Sequence, residues 1–466
     1  MKTPLVIFSA MIWLAAVACT GAIKAAEDAG DPLVDAIVNL VGDRDKDLRA
    51  IGLQQVREEV KGEAATKRFA DLLPKLPPDA RAGLIDALGS RGDKTARPAV
   101  LEMLKTPDEQ VRIASIRALG FLGEAADVPL LVQPLAEGSE AKKTSAQRSL
   151  ELLLGKGVDE NIVQALKMAK NPWQQTALIQ ILQRRKALTA VPLLLDLVSA
   201  EQPEVRAAAM QTLGQLAGAE DVSKMVEGLL NTESGAQRET AEKAVMFVCM
   251  RIQDADKRAD PLISAWAKLG EEQKTVVLPA LGRVGGPKTL KVVEEAIAGD
   301  NAQRRDAGVR ALCNWPDASV VDMLLKLAQT SDNANYRLWA TRALCRVAVL
   351  RDSRSDAERL DLLKKIMTLA TRDEERNLVL DRAKAIRTMA SLRFVLSYMD
   401  NPEYAQRACA TVVELAHYRE LRDPNKAEFD RALDKVIGIC KDTGVVDRAK
   451  RYQRGETVED RAKTSK

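Results

Sequence analysis

Histidine is almost absent from this chain of 466 residues: His417 is the only one. A metal centre built on it would have carboxylates alone as co-ligands, and a Ser-His-Asp relay has no second candidate. Cysteine is scarce too. None of the six is spaced as C-x-x-C and none is followed by histidine in the haem-attachment manner, so zinc, dithiol and c-type haem signatures are missing. Aromatic residues make up 3% of the chain, and neither charge sign dominates, with 70 Lys and Arg against 66 Asp and Glu. So balanced a surface has no global field to hold nucleic acid or an anionic membrane. No phosphate-loop, dinucleotide or nucleophile-elbow motif occurs. The run Gly282-Arg283-Val284-Gly285-Gly286 is rich in glycine but falls at a turn between helices.

What is present begins with an export signal over residues 1–25. Lys2 supplies a basic start, and Leu5 to Val17 is an uncharged apolar run, of the short kind (about 7–15 residues) that marks a secretory signal peptide. Thr20-Gly21-Ala22 and Ile23-Lys24-Ala25 both offer cleavage sites. Ala16-Val17-Ala18-Cys19 reads instead as a loose lipobox, in which Cys19 would carry lipid and become the first mature residue. The uncharged stretch from Pro4 to Ile23 is also just long enough to stay as an anchor. Each version places the body of the protein outside the cytoplasm, in the periplasm or on the envelope surface. Loss of Lys2 and Lys24 with this segment takes the formal charge from +4 to +2.

The rest of the chain is periodic. One phrase recurs as Ala87-Leu88-Gly89, Ala118-Leu119-Gly120, Thr212-Leu213-Gly214, Ala280-Leu281-Gly282, Ala311-Leu312-Cys313 and Ala343-Leu344-Cys345. Weaker copies end at Glu151 and Gln183, so successive copies fall 31 or 32 residues apart. Only the step from Gly214 to Gly282 is longer, with room for two enlarged units, the first ending its helix near Cys249. A period of this size marks a stacked repeat.

Each unit reads as two helices. After Thr106-Pro107-Asp108, one apolar face carries Val111, Ala114, Ala118, Leu119 and Leu122; a turn at Gly123 follows, then Val128, Leu131, Val132 and Leu135. One such hairpin cannot bury its faces alone, so neighbours must stack on it. The pattern of Asp108, Val111 and Arg112 followed by Leu119 and Gly120 resembles the HEAT repeat in its short bacterial form, and Val205, Arg206, Leu213 and Gly214 repeat it. The resemblance implies an all-α solenoid of about a dozen stacked two-helix layers. The array runs over 32–348. Residues 349–450 continue it with longer, divergent units, with helical periodicity through Leu360 to Met367, Leu378 to Leu396 and Ala405 to Val436 and a loop at Asp423-Pro424-Asn425, and 455–466 reads as a disordered tail. With Ala311-Leu312-Cys313-Asn314-Trp315-Pro316, this half resembles the C-terminal segment of exported HEAT proteins of planctomycete-like bacteria.

Few residues suggest chemistry. Cys313 and Cys345 stand where other copies have Gly, too far apart across a layer to bridge, and read as small buried residues. Asp108 and Arg112 suggest an i, i+4 ion pair that knits layers. Trp173, Trp266, Trp315 and Trp339 are dispersed, and any that is exposed is a candidate interface anchor. The reading is therefore a non-enzymatic scaffold that takes a protein partner on the concave face of second helices, without cofactor, metal or nucleic acid, and with no membrane span in the mature chain. Short repeats of this style are also similar to those of bilin lyases, which gives an enzyme holding a small ligand as the alternative.

Overall fold

The computed structural model describes residues 32–233 and 235–456. The export segment with Cys19, and all but the start of the tail, lie outside the described residues, which are helical with no strand among them.

The chain falls into two compact units, 1–217 and 218–466. The first contains α1 (Pro32–Val41), α2 (Lys46–Glu58), α3 (Glu63–Ala70), α4 (Pro78–Arg91), α5 (Arg97–Met103) and α6 (Glu109–Leu122). It continues with α7 (Val128–Glu137), α8 (Glu140–Leu152), α9 (Val158–Met168), α10 (Pro172–Arg185), α11 (Val191–Leu197) and α12 (Pro203–Leu216). Even-numbered helices are the first of each hairpin and odd-numbered ones the second. Local chemistry starts them. Side chains of Asp45, Asp108 and Asn171 accept amides of the first turns of α2, α6 and α10, and proline opens α4, α10 and α12.

First helices stack on first helices: α2 on α4, α4 on α6, α6 on α8, α8 on α10 and α10 on α12. A helix held between two others buries more than one stripe. In α6, Val111, Ile113, Ala114, Ile116, Ala118, Leu119 and Leu122 are all buried. The recurrent glycine marks where two such helices touch. A Cβ on Gly89 would lie 2.9 Å from the Ala118 Cα, and one on Gly120 would lie 3.0 Å from the Ser149 Cα. The small residues of the repeated phrase are thus the contact points between layers.

The second unit holds α13 (Val222–Leu230), α14 (Ala236–Met250), α15 (Asp260–Trp266), α16 (Glu271–Val284), α17 (Pro287–Ala298), α18 (Ala302–Cys313), α19 (Val321–Thr330) and α20 (Ala334–Val347). Then come α21 (Asp356–Leu369), α22 (Asp373–Ala383), α23 (Met389–Leu396), α24 (Pro402–Ala416), the short α25 (Arg419–Arg422), α26 (Lys426–Ile439) and α27 (Thr443–Gln453). Again α14, α16, α18, α20, α22 and α24 stack in order, and α27 completes the series on α24. The enlarged unit does end its first helix beside Cys249, at Met250. The boundary read at 348/349 falls inside this unit, between α20 and α21.

One detail differs from the sequence reading. The run Leu378 to Leu396 is not one helix: α22 stops at Ala383, and α23 starts afresh after Thr388, whose side chain accepts the Ser391 amide. Periodicity on either side of that short turn matched closely enough to hide it. Within Ala405 to Val436, α24 ends at Ala416 beside His417, and the Asp423-Pro424-Asn425 turn precedes α26 at Lys426, where the sequence placed a loop.

The glycine contacts give an ordered prediction for urea unfolding. A Cβ on Gly282 would lie 2.2 Å from the Ala311 carbonyl oxygen, whereas one on Gly438, in the last turn of α26, meets nothing within 4 Å. Gly282→Ala is expected to destabilise by about 1–3 kcal/mol through forced separation of α16 and α18. Gly120→Ala should cost less, and Gly438→Ala should stabilise by about 0.5 kcal/mol. Equal midpoints for all three variants would show that the glycines do not set the layer spacing.

Candidate functional site

The positions singled out in the sequence are structural. Val111, Leu119, Val205 and Leu213 are fully buried, and Gly120 and Gly214 are buried in their helices. Asp108 caps α6, its carboxylate accepting the Val111 amide at 3.0 Å. It does not pair with Arg112. The Arg112 guanidinium donates to the carbonyls of Thr106 at 2.6 Å and Pro107 at 2.7 Å. Those carbonyls lie just past the end of α5, where the last turn of a helix leaves acceptors without partners and its dipole favours a cation.

The same clamp recurs. Arg206 donates to Ala200 and Glu201, both at 2.8 Å. Arg49 reaches Asp43, Arg305 reaches Gly299 and Arg337 reaches Ser331, at 3.0, 2.7 and 2.6 Å. Gln175 takes the place in α10, bonding Ala169 at 2.9 Å. A second series caps first helices across layers. Arg91 donates to Val56 and Glu59, Arg185 to Leu150 and Leu153, and Arg346 to Cys313 and Trp315. The sequence reading missed both series. The signal was available, because Arg49, Arg81 and Arg112, like Arg206 and Arg238, keep the 31- or 32-residue period.

With those arginines committed to the frame, the open surfaces are clefts. In the first unit α5 and α7 make no extended contact. Between them lies a cleft of about 650 Å³ lined by Leu101, Leu104, Ile116, Leu130, Gln133 and Pro134, with Lys105, Arg112 and Lys142 at its charged edge. Leu130 is 43% exposed. Pro134 lies inside α7 and has no N–H to give the Leu130 carbonyl, so a main-chain acceptor is released there. A second cleft, of about 450 Å³, shares Gln133 and continues to α9 and Met168, which is 78% exposed. Trp173 follows, 44% exposed, with the Lys143 ammonium 4.5 Å from its ring centre.

The second unit opens on its other face. A cleft of about 680 Å³ runs across the first helices α14, α16 and α18, with Arg238, Glu242, Pro279, Arg283 and Asp306 among its lining residues. A further cleft of about 300 Å³ lies between α18 and α20. Of the tryptophans, Trp315 is buried and bonds the Ser319 hydroxyl. Trp339 is partly exposed beneath Arg310.

Cys249, Cys345 and Cys409 are buried, whereas Cys313, expected to be buried like Cys345, is partly exposed at the edge of the α18–α20 cleft, and Cys440 is partly exposed too. Burial pushes Cys249, Cys313 and Cys345 up to about 12. Cys409 rises to about 12 as well, from burial and then from the adjacent Cys440. No group of histidine, cysteine and carboxylate residues fit to hold a metal occurs among the described residues. His417 caps the end of α24, its Nδ1 3.0 Å from the Tyr452 hydroxyl. No helix among the described residues is long and apolar enough to cross a membrane.

Residues 66–151 and 160–246 match HEAT repeats. No curated protein sequence matches the chain. In fold it is similar to Kap121p bound to Ste12p, with a TM-score of 0.52 and 11% identity over 90% of this chain and 53% of that one. Kap121p bound to Pho4p gives 0.52 and 12% over 91% and 54%. The chain spans about half the length of these structures, and such low identity establishes the fold alone. A complex of phycocyanin lyase subunits from a Nostoc species gives a TM-score of only 0.26, with 17% identity over 50% of this chain and 92% of that one, too loose to bear on function.

The raised thiols set an alkaline limit. Folding holds them neutral to about 12, whereas the unfolded chain ionises near 9.0. Their contribution is therefore complete below pH 9 and is lost as pH rises from there towards 12. Each thiol should steepen the fall in stability by up to about 1.4 kcal/mol per pH unit. Urea midpoints between pH 9 and 11 should fall less steeply in Cys345→Ala than in the parent; parallel curves would contradict the assignment.

Proposed function

We propose that this HEAT-repeat protein is a non-enzymatic binding scaffold that seats a protein segment on the second-helix face of its first unit. The observation that carries the reading is the apolar cleft between α5 and α7. A surface helix ordinarily turns polar residues outward, yet Leu130 and Pro134 face this opening with Leu104 and Ile116 behind them. Exposed leucine and methionine continue along α7 and α9. Apolar ground with a few polar groups at its edge is the usual composition of a binding site. The Leu130 carbonyl offers the incoming main chain an acceptor. The fold neighbours include the karyopherin Kap121p bound to the extreme C-terminus of the protein phosphatase Cdc14p, with a TM-score of 0.50, so a stack of this kind can receive a peptide terminus.

The export signal adds a location to the proposal. The scaffold would act in the periplasm or on the envelope, released by cleavage near Ala22 or Ala25 or held by lipid on Cys19. An intact mass of the protein from its native source separates these. A chain beginning at Met1 would point to a retained anchor, and its recovery in the cytoplasmic fraction would remove the premise of export.

The test is capture from a native envelope extract on the immobilised chain, at moderate salt. The parent should retain one partner in stoichiometric amount. Leu130→Asp places a charge on the cleft floor and should weaken retention about tenfold or more, as loss of an interface anchor does. Undiminished retention by the variant, or turnover of a substrate by the purified parent, would end the proposal.

A further inference from the structure

The cleft between α18 and α20 in the second unit has an unusual lining. It consists of Arg310, Arg342 and Arg346 with Asn314, Trp339, Cys313 and Ala343, and contains no carboxylate. The balancing acids are set off to one side. Asp306 binds Nε of Arg310 at 2.8 Å, and Glu375 binds Nε of Arg342 at 2.7 Å. A carboxylate that bonds Nε leaves the terminal nitrogens of the fork for another acceptor. Both arginines are about half exposed at the side chain, 53% and 50%. Arg346 is committed, since it donates to the Cys313 and Trp315 carbonyls, but it keeps its charge within the cleft. Arg310 lies 4.4 Å over the Trp339 ring, which fixes its plane. The Tyr336 ring packs beside that of Trp339, with centres 5.7 Å apart.

We infer that this cleft is a second docking site, for an acidic peptide segment, with a carboxylate held between the Arg310 and Arg342 forks. Charge complementarity selects the occupant. At about 300 Å³ the cleft is at the lower end of ligand pockets and suits one or two side chains. It opens into the larger cleft across α14, α16 and α18, with which it shares Arg310 and Asn314. There acids return as Glu239, Glu242 and Asp306, while Val276, Pro279 and Ala307 add apolar ground. The bound segment would thus be acidic at the α20 end and mixed towards α14. A nucleic-acid strand fits poorly, because those carboxylates interrupt any continuous path for phosphates. The inference is independent of the α5–α7 cleft and stands or falls without it.

Fluorescence anisotropy with the full chain tests it, using a labelled decapeptide with four glutamates at one end and its glutamine analogue. The acidic peptide should bind at least about tenfold more tightly than the analogue, and less so as salt rises. Arg310→Gln should remove that preference, Arg310→Lys should retain part of it, and Arg117→Gln in the first unit should leave it intact. Unchanged helicity and melting of Arg310→Gln guard against a folding artefact. The inference is overturned if the two peptides bind alike, if Arg310→Gln binds as the parent does, or if neither binds. It is equally overturned if inorganic phosphate occupies the site in an Arg310-dependent way while the acidic peptide does not.

Discussion

Short helices have many ends, and each end carries carbonyls that no residue of that helix can satisfy. Most of the described residues lie in α-helices between four and fifteen residues long, so the disposal of those carbonyls bears on every layer. One solution recurs. A guanidinium from the next element reaches back to the loop after a second helix, or across a layer to the end of a first helix. A charged donor on a carbonyl is worth about 1.5–3 kcal/mol and also meets the negative end of the helix dipole. The arginines of both series are therefore part of the frame, while the small net charge follows from the near balance of 70 Lys and Arg with 66 Asp and Glu.

The layer spacing rests on a second, smaller constraint. Glycine, alanine and serine meet at the crossing of first helices, where backbones approach closely, and no such pair holds α5 to α7. Tight contact on one side and loose contact on the other gives the first unit its open cleft. In the second unit the clefts lie instead across first helices, floored by Pro279 and Trp339 and edged with guanidinium groups. The two units thus present unlike surfaces: largely apolar in the first, of mixed charge with a cationic and aromatic end in the second.

Much of this was legible in the sequence. The Ala-Leu-Gly phrase gave the period, and the helix pairs, the enlarged unit ending near Cys249 and the burial of Cys345 follow from it. The arginine series was legible by the same counting, yet Arg112 four residues after Asp108 invited a reading as an ion pair. Side chain to side chain is what spacing suggests; side chain to the backbone of a preceding loop leaves no mark in residue type at the accepting end. The turn at 384–388 was hidden because a repeat that breaks and restarts in phase keeps its apolar rhythm. The clefts were not legible at all. Which helices part, and which tryptophan stays in the open, depends on contacts between layers that no single repeat specifies.

The accepting partners of the arginine clamp are peptide groups, which every residue possesses. Thr106-Pro107, Ala200-Glu201, Gly299 and Ser331 share no side-chain chemistry, yet all receive the same guanidinium. Mutation can rewrite such loops freely as long as the arginine and the loop length persist. The copies of the repeat can then drift apart in sequence without loosening the stack, and each layer becomes free to acquire a surface of its own.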